Sequence, residues 1–189
     1  LLRSGNDQVQ TYEWGAAERT VLIVHGWGSR AARFAPMVTG LLNRGWRVLC
    51  IDAPAHGRSP GRSSSLPQFI QAIGTVVGTL GPVQAVIGHS LGGLAITCYH
   101  RDGDISWLAS VHKVVLISMP SGAPFLINSF IQMLRIRANT ATKLLQRFTR
   151  RFGAEPVAYN AVPSAPALQL PVLMVHDRED DIVPHSHSM

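Results

Sequence analysis

The stretch Val83-Gln84-Ala85-Val86-Ile87-Gly88-His89-Ser90-Leu91-Gly92-Gly93 decides how this chain reads. Val83 to Ile87 is a short apolar run of strand length, and Gly88 to Gly92 follow the pattern G-x-S-x-G. The spacing has a mechanical reason. A strand that turns at once into a helix puts Ser90 at the apex, and side chains at positions 88 and 92 would collide there. The turn exposes the Ser90 hydroxyl, so Ser90 is the candidate nucleophile. The helix it opens, predicted over Ser90 to His100, offers the Leu91 backbone N–H and the positive end of a helix dipole to a developing oxyanion. A glycine-rich turn without chemistry needs the glycines too. It does not need a strand before them and the small Gly93 and Ala95 after them.

Outward from this turn, strand-like and helix-like runs alternate, the pattern of a parallel sheet with crossover helices. Thr20 to Val24, Trp46 to Ile51, Val83 to Ile87, Val114 to Ile117 and Val172 to Val175 read as five parallel strands, and Val9 to Trp14 as an edge strand. Phe34 to Leu42, stopping at Gly45, and Leu66 to Leu80 carry helical spacing, although Gly74 and Gly78 each weaken the second by about 1 kcal/mol relative to Ala. Between Ser118 and Leu170 the alternation breaks. Helical patterning in Ile127 to Ile136 and Ala141 to Phe152 reads as an insertion above the carboxyl ends of the strands, a cap whose apolar residues Phe125, Leu126, Phe130, Ile131 and Leu134 shape a pocket.

Three further segments now make the chain resemble the α/β-hydrolase family across Thr20 to Pro184. His25-Gly26-Trp27-Gly28 after the first buried strand resembles the family's oxyanion loop, which implies Trp27 N–H as the second donor and its indole as a pocket wall. Asp52-Ala-Pro-Ala-His-Gly-Arg-Ser59 resembles D-x-P-G-H-G-x-S, with Ala55 in place of a glycine; in the family this stretch braces the loop, so Asp52 and His56 are read as structural. His176-Asp-Arg-Glu-Asp-Asp-Ile-Val-Pro184 resembles the acid loop G-x-x-D-x-x-V-P. Alignment on Val183-Pro184 selects Asp180 as the catalytic acid, with Asp177 and Asp181 as alternatives. The resemblance implies a mostly parallel twisted sheet with helices on both faces, with core segments 1–121 and 169–189 around a helical cap at 122–168. It also implies acyl transfer to Ser90, with no cofactor and no metal.

The general base is the missing part. In the family's order of Ser, Asp and His, the His stands well beyond the acid, whereas His185 and His187 follow Asp180 by five and seven residues. Both read as tail residues, and His100 and His112 as residues without chemical partners. The base is therefore expected outside residues 1–189, as are a strand before Val9 and a strand and helix after Pro184. The substrate expected is a small acyl compound: a carboxylic ester, a thioester or a small amide. The competing reading is a non-catalytic relative that binds a ligand or partner.

Composition bounds the rest. A chain of 189 residues, 46% hydrophobic and 15% charged, has the makeup of one globular domain. It contains no apolar run long enough to span a membrane and no signal-like start, so the expectation is a soluble, cytoplasmic protein. Cys50 and Cys98 stand in apolar surroundings and read as small hydrophobes rather than thiol chemistry. The net charge of +6 is local: Arg135, Arg137, Lys143, Arg147, Arg150 and Arg151 share a stretch without Asp or Glu and account for the whole excess. The simplest reading is a solvated helix face, the next an attraction for an anionic substrate or surface. With only Phe148 and Phe152 interleaved, no nucleic-acid partner is expected.

Overall fold

The computed structural model describes residues 1–102 and 105–189. Seven strands, β1 (Leu2–Ser4), β2 (Asp7–Trp14), β3 (Thr20–Val24), β4 (Arg47–Asp52), β5 (Ala85–His89), β6 (Lys113–Ile117) and β7 (Val172–Val175), form one sheet in the order β1-β2-β4-β3-β5-β6-β7. Strands β3 to β7 are parallel and the first two antiparallel. Val9 to Trp14 is thus not the edge: β1 folds back on β2, so that Leu2 pairs with Val9 and β1 takes the edge. The reversal turns on Gly5 at φ +59, a conformation that suits glycine.

The buried strands are apolar throughout because both faces are covered. Alternate residues point to opposite sides. Val21, Ile23, Val48, Cys50 and Ile87 pack with Val38 of helix α1 (Ala35–Leu42). Leu22, Val24, Leu49, Ile51 and Val86 face the larger core, with Phe69 and Ile73 of α2 (Leu66–Leu80) and Leu94 and Ile96 of α3 (Leu91–Asp102). Helix α2 starts at Ser65, whose Oγ accepts from Gln68 N–H, and ends before Gly81. Burial pushes the thiols of Cys50 and Cys98 up to about 12 and about 11, so both remain protonated.

A short helix α4 (Ile105–Ser110), which the sequence pattern does not announce, carries the fully buried Trp107. Its indole N–H donates to His100 Nδ1 at 3.1 Å, so His100 has a structural partner after all. Helices α5 (Ala123–Met133) and α6 (Ala138–Phe152) occupy the connection between β6 and β7. Pro124 in the first turn of α5 starts that helix four residues before the apolar period begins.

Gly78 and Gly74 test the cost assigned to glycine within α2. A methyl group at exposed Gly78 meets nothing within 4 Å, whereas one at Gly74 comes within 3.1 Å of the Tyr99 ring. Gly78→Ala is expected to stabilise the fold by about 1 kcal/mol in a urea titration, and Gly74→Ala to gain less.

Candidate active site

Strands β4 and β5 flank β3 on opposite sides, so the chain order reverses there. The crevice at the carboxyl ends of β3 and β5 is where such sheets place ligands. Ser90 follows β5 directly and Trp27 is the third residue after β3. Ser90 adopts φ +51, the left-handed region that a non-glycine residue enters at a cost of order 1–3 kcal/mol. Its N–H donates to Ile117 O at 2.8 Å, while its own C=O accepts from Gly93 N–H at 2.9 Å and Leu94 N–H at 3.2 Å. The residue is clamped between the end of β6 and the first turn of α3.

The glycines around it are required by close approach. A Cβ on Gly88 would lie 2.5 Å from Gly93 Cα, and one on Gly26 would lie 2.8 Å from Ser90 Cβ. A Cβ on Gly92 would strike the carbonyl oxygens of Val24 and His25. Because these obstacles are backbone, Gly92→Ala must push α3 away from β3. The expected loss is about 3 kcal/mol of stability, the upper end for overpacking, seen as a lower urea midpoint, with misalignment of Ser90.

Leu91 N–H opens α3, and Trp27 N–H lies in a tight turn closed by Ser29 N–H donating to Gly26 O at 3.2 Å. Among the described residues neither amide meets an acceptor, so both are free to donate. The Trp27 indole is 62% exposed and meets His56 edge-on, with ring centroids 5.3 Å apart. Beside this turn a cleft of about 430 Å³ is lined by Gly28, Ser29, Arg30, Arg33, His56 and Gly57 among others.

The loop after β4 is a brace. Asp52 Oδ1 accepts from Ala31 N–H at 2.7 Å, and its Oδ2 accepts from Arg58 N–H and Tyr12 O–H, both at 2.8 Å. Ser59 Oγ donates to Asp52 O. Ala55, at the position of the pattern's missing glycine, takes φ +58. His56 Nδ1 donates to Pro54 O. Asp52 and His56 thus hold the loop that faces the Trp27 turn.

His25 is fully buried beneath that turn. Its Nδ1–H donates to Gly26 O at 2.6 Å and its Nε2 accepts from Ala53 N–H at 2.9 Å, which fixes the neutral tautomer. Burial, more than any neighbour, pushes its pKa down to about 4. In the unfolded chain the value is about 6.5. Between these values only the unfolded chain binds the proton. Stability is therefore fully kept above about pH 6.5 and falls as pH drops towards about 4, by up to about 3 kcal/mol from this residue. Urea midpoints taken at about pH 7.5 and pH 4.5 should show the loss, and His25→Asn should show a smaller one. His89 and His187, both also lowered first by burial, act in the same direction.

Of the three acid candidates, Asp180 has the most defined surroundings. Its Oδ1 accepts from Val183 N–H at 2.9 Å and Ile182 N–H at 3.0 Å, and its Oδ2 lies 3.6 Å from His176 Nε2. The Val183 N–H above all, then Ile182, Ser118 and His176, hold the carboxyl below its ordinary pKa. Ser118 ties this loop to the elbow: it follows Ile117, the acceptor of Ser90 N–H, and its own N–H donates to Val175 O. The Asp180 charge also reaches His89, next to Ser90. Asp177 and Asp181 are exposed, and Asp177 Oδ1 only closes a local turn with Glu179 N–H.

Among the described residues no histidine is hydrogen-bonded to the Ser90 hydroxyl. His176 donates from Nε2 to Val183 O and accepts at Nδ1 from Ser188 Oγ. His187 is not a loose tail residue: its Nδ1 accepts from Ser121 Oγ–H at 2.7 Å and Ser121 N–H at 3.2 Å, and its ring lies on Phe125. Nor do the apolar residues of α5 form one wall. Leu126 packs inward on the core and Phe125 on His187, whereas Phe130 and Leu134 are exposed. Among the described residues no group of three His, Cys, Asp or Glu is placed to hold a metal, and no helix is long and apolar enough to cross a membrane.

Known proteins are similar to this chain in sequence and fold. The chain is 28% identical over 150 residues to protein phosphatase methylesterase 1 of Bos taurus, a match covering 75% of this chain and 39% of that protein. It is 36% identical over 86 residues to a serine hydrolase-like protein of Danio rerio, covering 42% of this chain and 26% of that protein. The chain thus spans well under half the length of these curated relatives. Among solved structures, an esterase from Exiguobacterium antarcticum superposes with a TM-score of 0.70 at 16% identity, over 99% of this chain and 84% of that one. A monoacylglycerol lipase of Paleococcus ferrophilus gives 0.66 at 23% identity, over 96% and 82%. These likenesses establish the fold. The profile of the alpha/beta hydrolase family matches residues 21–186, from the first buried parallel strand through the Ser90 turn to the loop bearing Asp180, and the chain belongs to that family.

Proposed function

We propose that the protein is a serine hydrolase that cleaves a carboxylic ester, thioester or small amide through an acyl-Ser90 intermediate. The observation that carries the reading is Ser90 at φ +51, held between β6 and α3 at the strand switch with Gly88 and Gly92 two residues to either side. A hydroxyl presented in this way is a poor structural element and a good nucleophile.

In the first half-reaction Ser90 Oγ attacks the acyl carbon and gives its proton to a general base. The carbonyl electrons move onto oxygen, where Trp27 and Leu91 N–H donate to the oxyanion. Collapse breaks the bond to the leaving alcohol, thiol or amine, which takes the proton from the base. Water then adds to the acyl carbon by the same route and releases the acid and free Ser90. Asp180 orients and charge-stabilises the imidazole that serves as base, a role this reading assigns to none of the eight histidines of residues 1–189. Serine at position 90 fits an acyl-enzyme; a carboxylate there would instead serve the alkyl-ester route of dehalogenases and epoxide hydrolases.

Rapid mixing of full-length protein with p-nitrophenyl acetate tests this. The expected result is a burst of p-nitrophenol equal to the enzyme concentration, with an acetyl adduct on the Ser90 peptide. Absence of both turnover and adduct would favour the ligand-binding reading, which draws its support from the lack of an imidazole bonded to Ser90.

A further inference from the structure

Among the described residues, helix α6 differs from the other α-helices. None of its residues is buried, and its side chains are sharply sorted. At 3.6 residues per turn, Ala141, Leu144, Leu145, Phe148 and Phe152 fall on one face, and Lys143, Arg147, Arg150 and Arg151 on another. A helix sorted in this way ordinarily buries its apolar face on the core. Here Phe148 meets only partly buried rings, Phe152 at 4.9 Å and Tyr159 at 5.9 Å, while Leu144 and Leu145 remain more than one-third exposed. The preceding turn adds to both sets. Met133 and Leu134 at the end of α5 are exposed, 71% and 54%, and Arg135 and Arg137 follow them.

The charge is as one-sided as the packing. The sequence has no Asp or Glu between Asp104 and Glu155, and the six basic residues from Arg135 to Arg151 are all exposed. Among the described residues none of the six is in an ion pair, and the Arg151 guanidinium instead lies 5.3 Å over the Phe152 ring. Glu155, past the end of α6, lines a groove with Arg150 and Leu145 without pairing.

We propose that α6 and the end of α5 dock the protein on an anionic lipid bilayer surface. The interface is the environment that answers both features: acyl chains take Leu144, Leu145, Met133 and Leu134, and headgroup phosphates take the arginines at their flank. A nucleic acid would satisfy the charge but leave that apolar row in water. The surface lies along the bilayer rather than across it; no helix among the described residues is long and apolar enough to cross a membrane. It is independent of the chemistry assigned to Ser90.

Co-sedimentation of full-length protein with vesicles tests the proposal. Vesicles of phosphatidylglycerol mixed into phosphatidylcholine should bind at least about tenfold more tightly than phosphatidylcholine alone, since each basic residue near an anionic surface adds roughly fivefold. The advantage should vanish near 1 M salt, where the Debye length falls to about 3 Å. The variant Arg147→Glu/Arg150→Glu should lose it with an unchanged melting temperature, because these two side chains are exposed and in no ion pair or ring contact among the described residues. Leu144→Gln/Leu145→Gln should weaken binding severalfold without changing its salt dependence. Equal binding to neutral and anionic vesicles, or undiminished binding by the charge-reversed variant at an unchanged melting temperature, overturns the proposal. So does salt-sensitive retention on duplex DNA with no binding to vesicles.

Discussion

Ser90→Ala in the full-length protein is expected to lower kcat/KM for p-nitrophenyl esters by at least about 10⁴-fold and to leave the fold intact. The size follows from the mechanism. Without Oγ no acyl-enzyme forms, and the residual rate comes from water attacking a carbonyl polarised by the Trp27 and Leu91 amides. The fold should survive because the bonds that clamp this residue, to Ile117 O and from Gly93 and Leu94 N–H, are all backbone. Alanine can hold φ +51 at a cost similar to that of serine. A variant that melts like the parent but retains more than about one-hundredth of its activity would place the chemistry elsewhere.

Asp180→Asn is expected to cost about 10³- to 10⁴-fold in kcat, against less than about threefold for Asp177→Asn or Asp181→Asn. An asparagine Oδ1 can still accept from Ile182 and Val183 N–H, so the loop should keep its shape and the loss should report the charge. An amide cannot accept the imidazole N–H and stabilise the imidazolium while presenting its own N–H there. Kinetics of the three variants, each checked for an unchanged melting temperature, separate the candidates. A large effect at Asp177 or Asp181 alone would shift the acid along the loop.

Much of this architecture was legible because parallel strands buried on both faces leave an unmistakable record: Thr20 to Val24 and Val83 to Ile87 have no polar alternation. The elbow was legible for a different reason, since Gly88 and Gly92 are demanded by backbone contacts within a few residues or across one neighbouring strand. The pattern D-x-P-A-H-G-x-S pointed to a brace, and the three bonds to Asp52 describe how it works.

What escaped had no local signal. β1 is three residues long, too short for a period of two to be seen, and its presence displaced β2 from the edge. The bond between Ser121 and His187 spans 66 residues of sequence, and that between Trp107 and His100 depends on how α4 returns against α3. The apolar residues of α5 looked like a single wall because spacing records a helix face but not what the face meets. Leu126 found the core and Phe130 found solvent. For Asp180, the Val183-Pro184 motif selects it with Asp177 and Asp181 as alternatives, and the bonds from Ile182 and Val183 N–H show it to be the most firmly held of the three.

Acyl transfer through Ser90 requires that one hydroxyl be activated. Treatment of the full-length protein with a fluorophosphonate, followed by digestion and mass spectrometry, measures it directly, because such probes phosphonylate activated serines and spare inert ones. The expected result is one adduct per chain, on the peptide bearing Ser90, absent from Ser90→Ala and slowed in Asp180→Asn. A folded protein left unlabelled, or labelled at another serine, would contradict it.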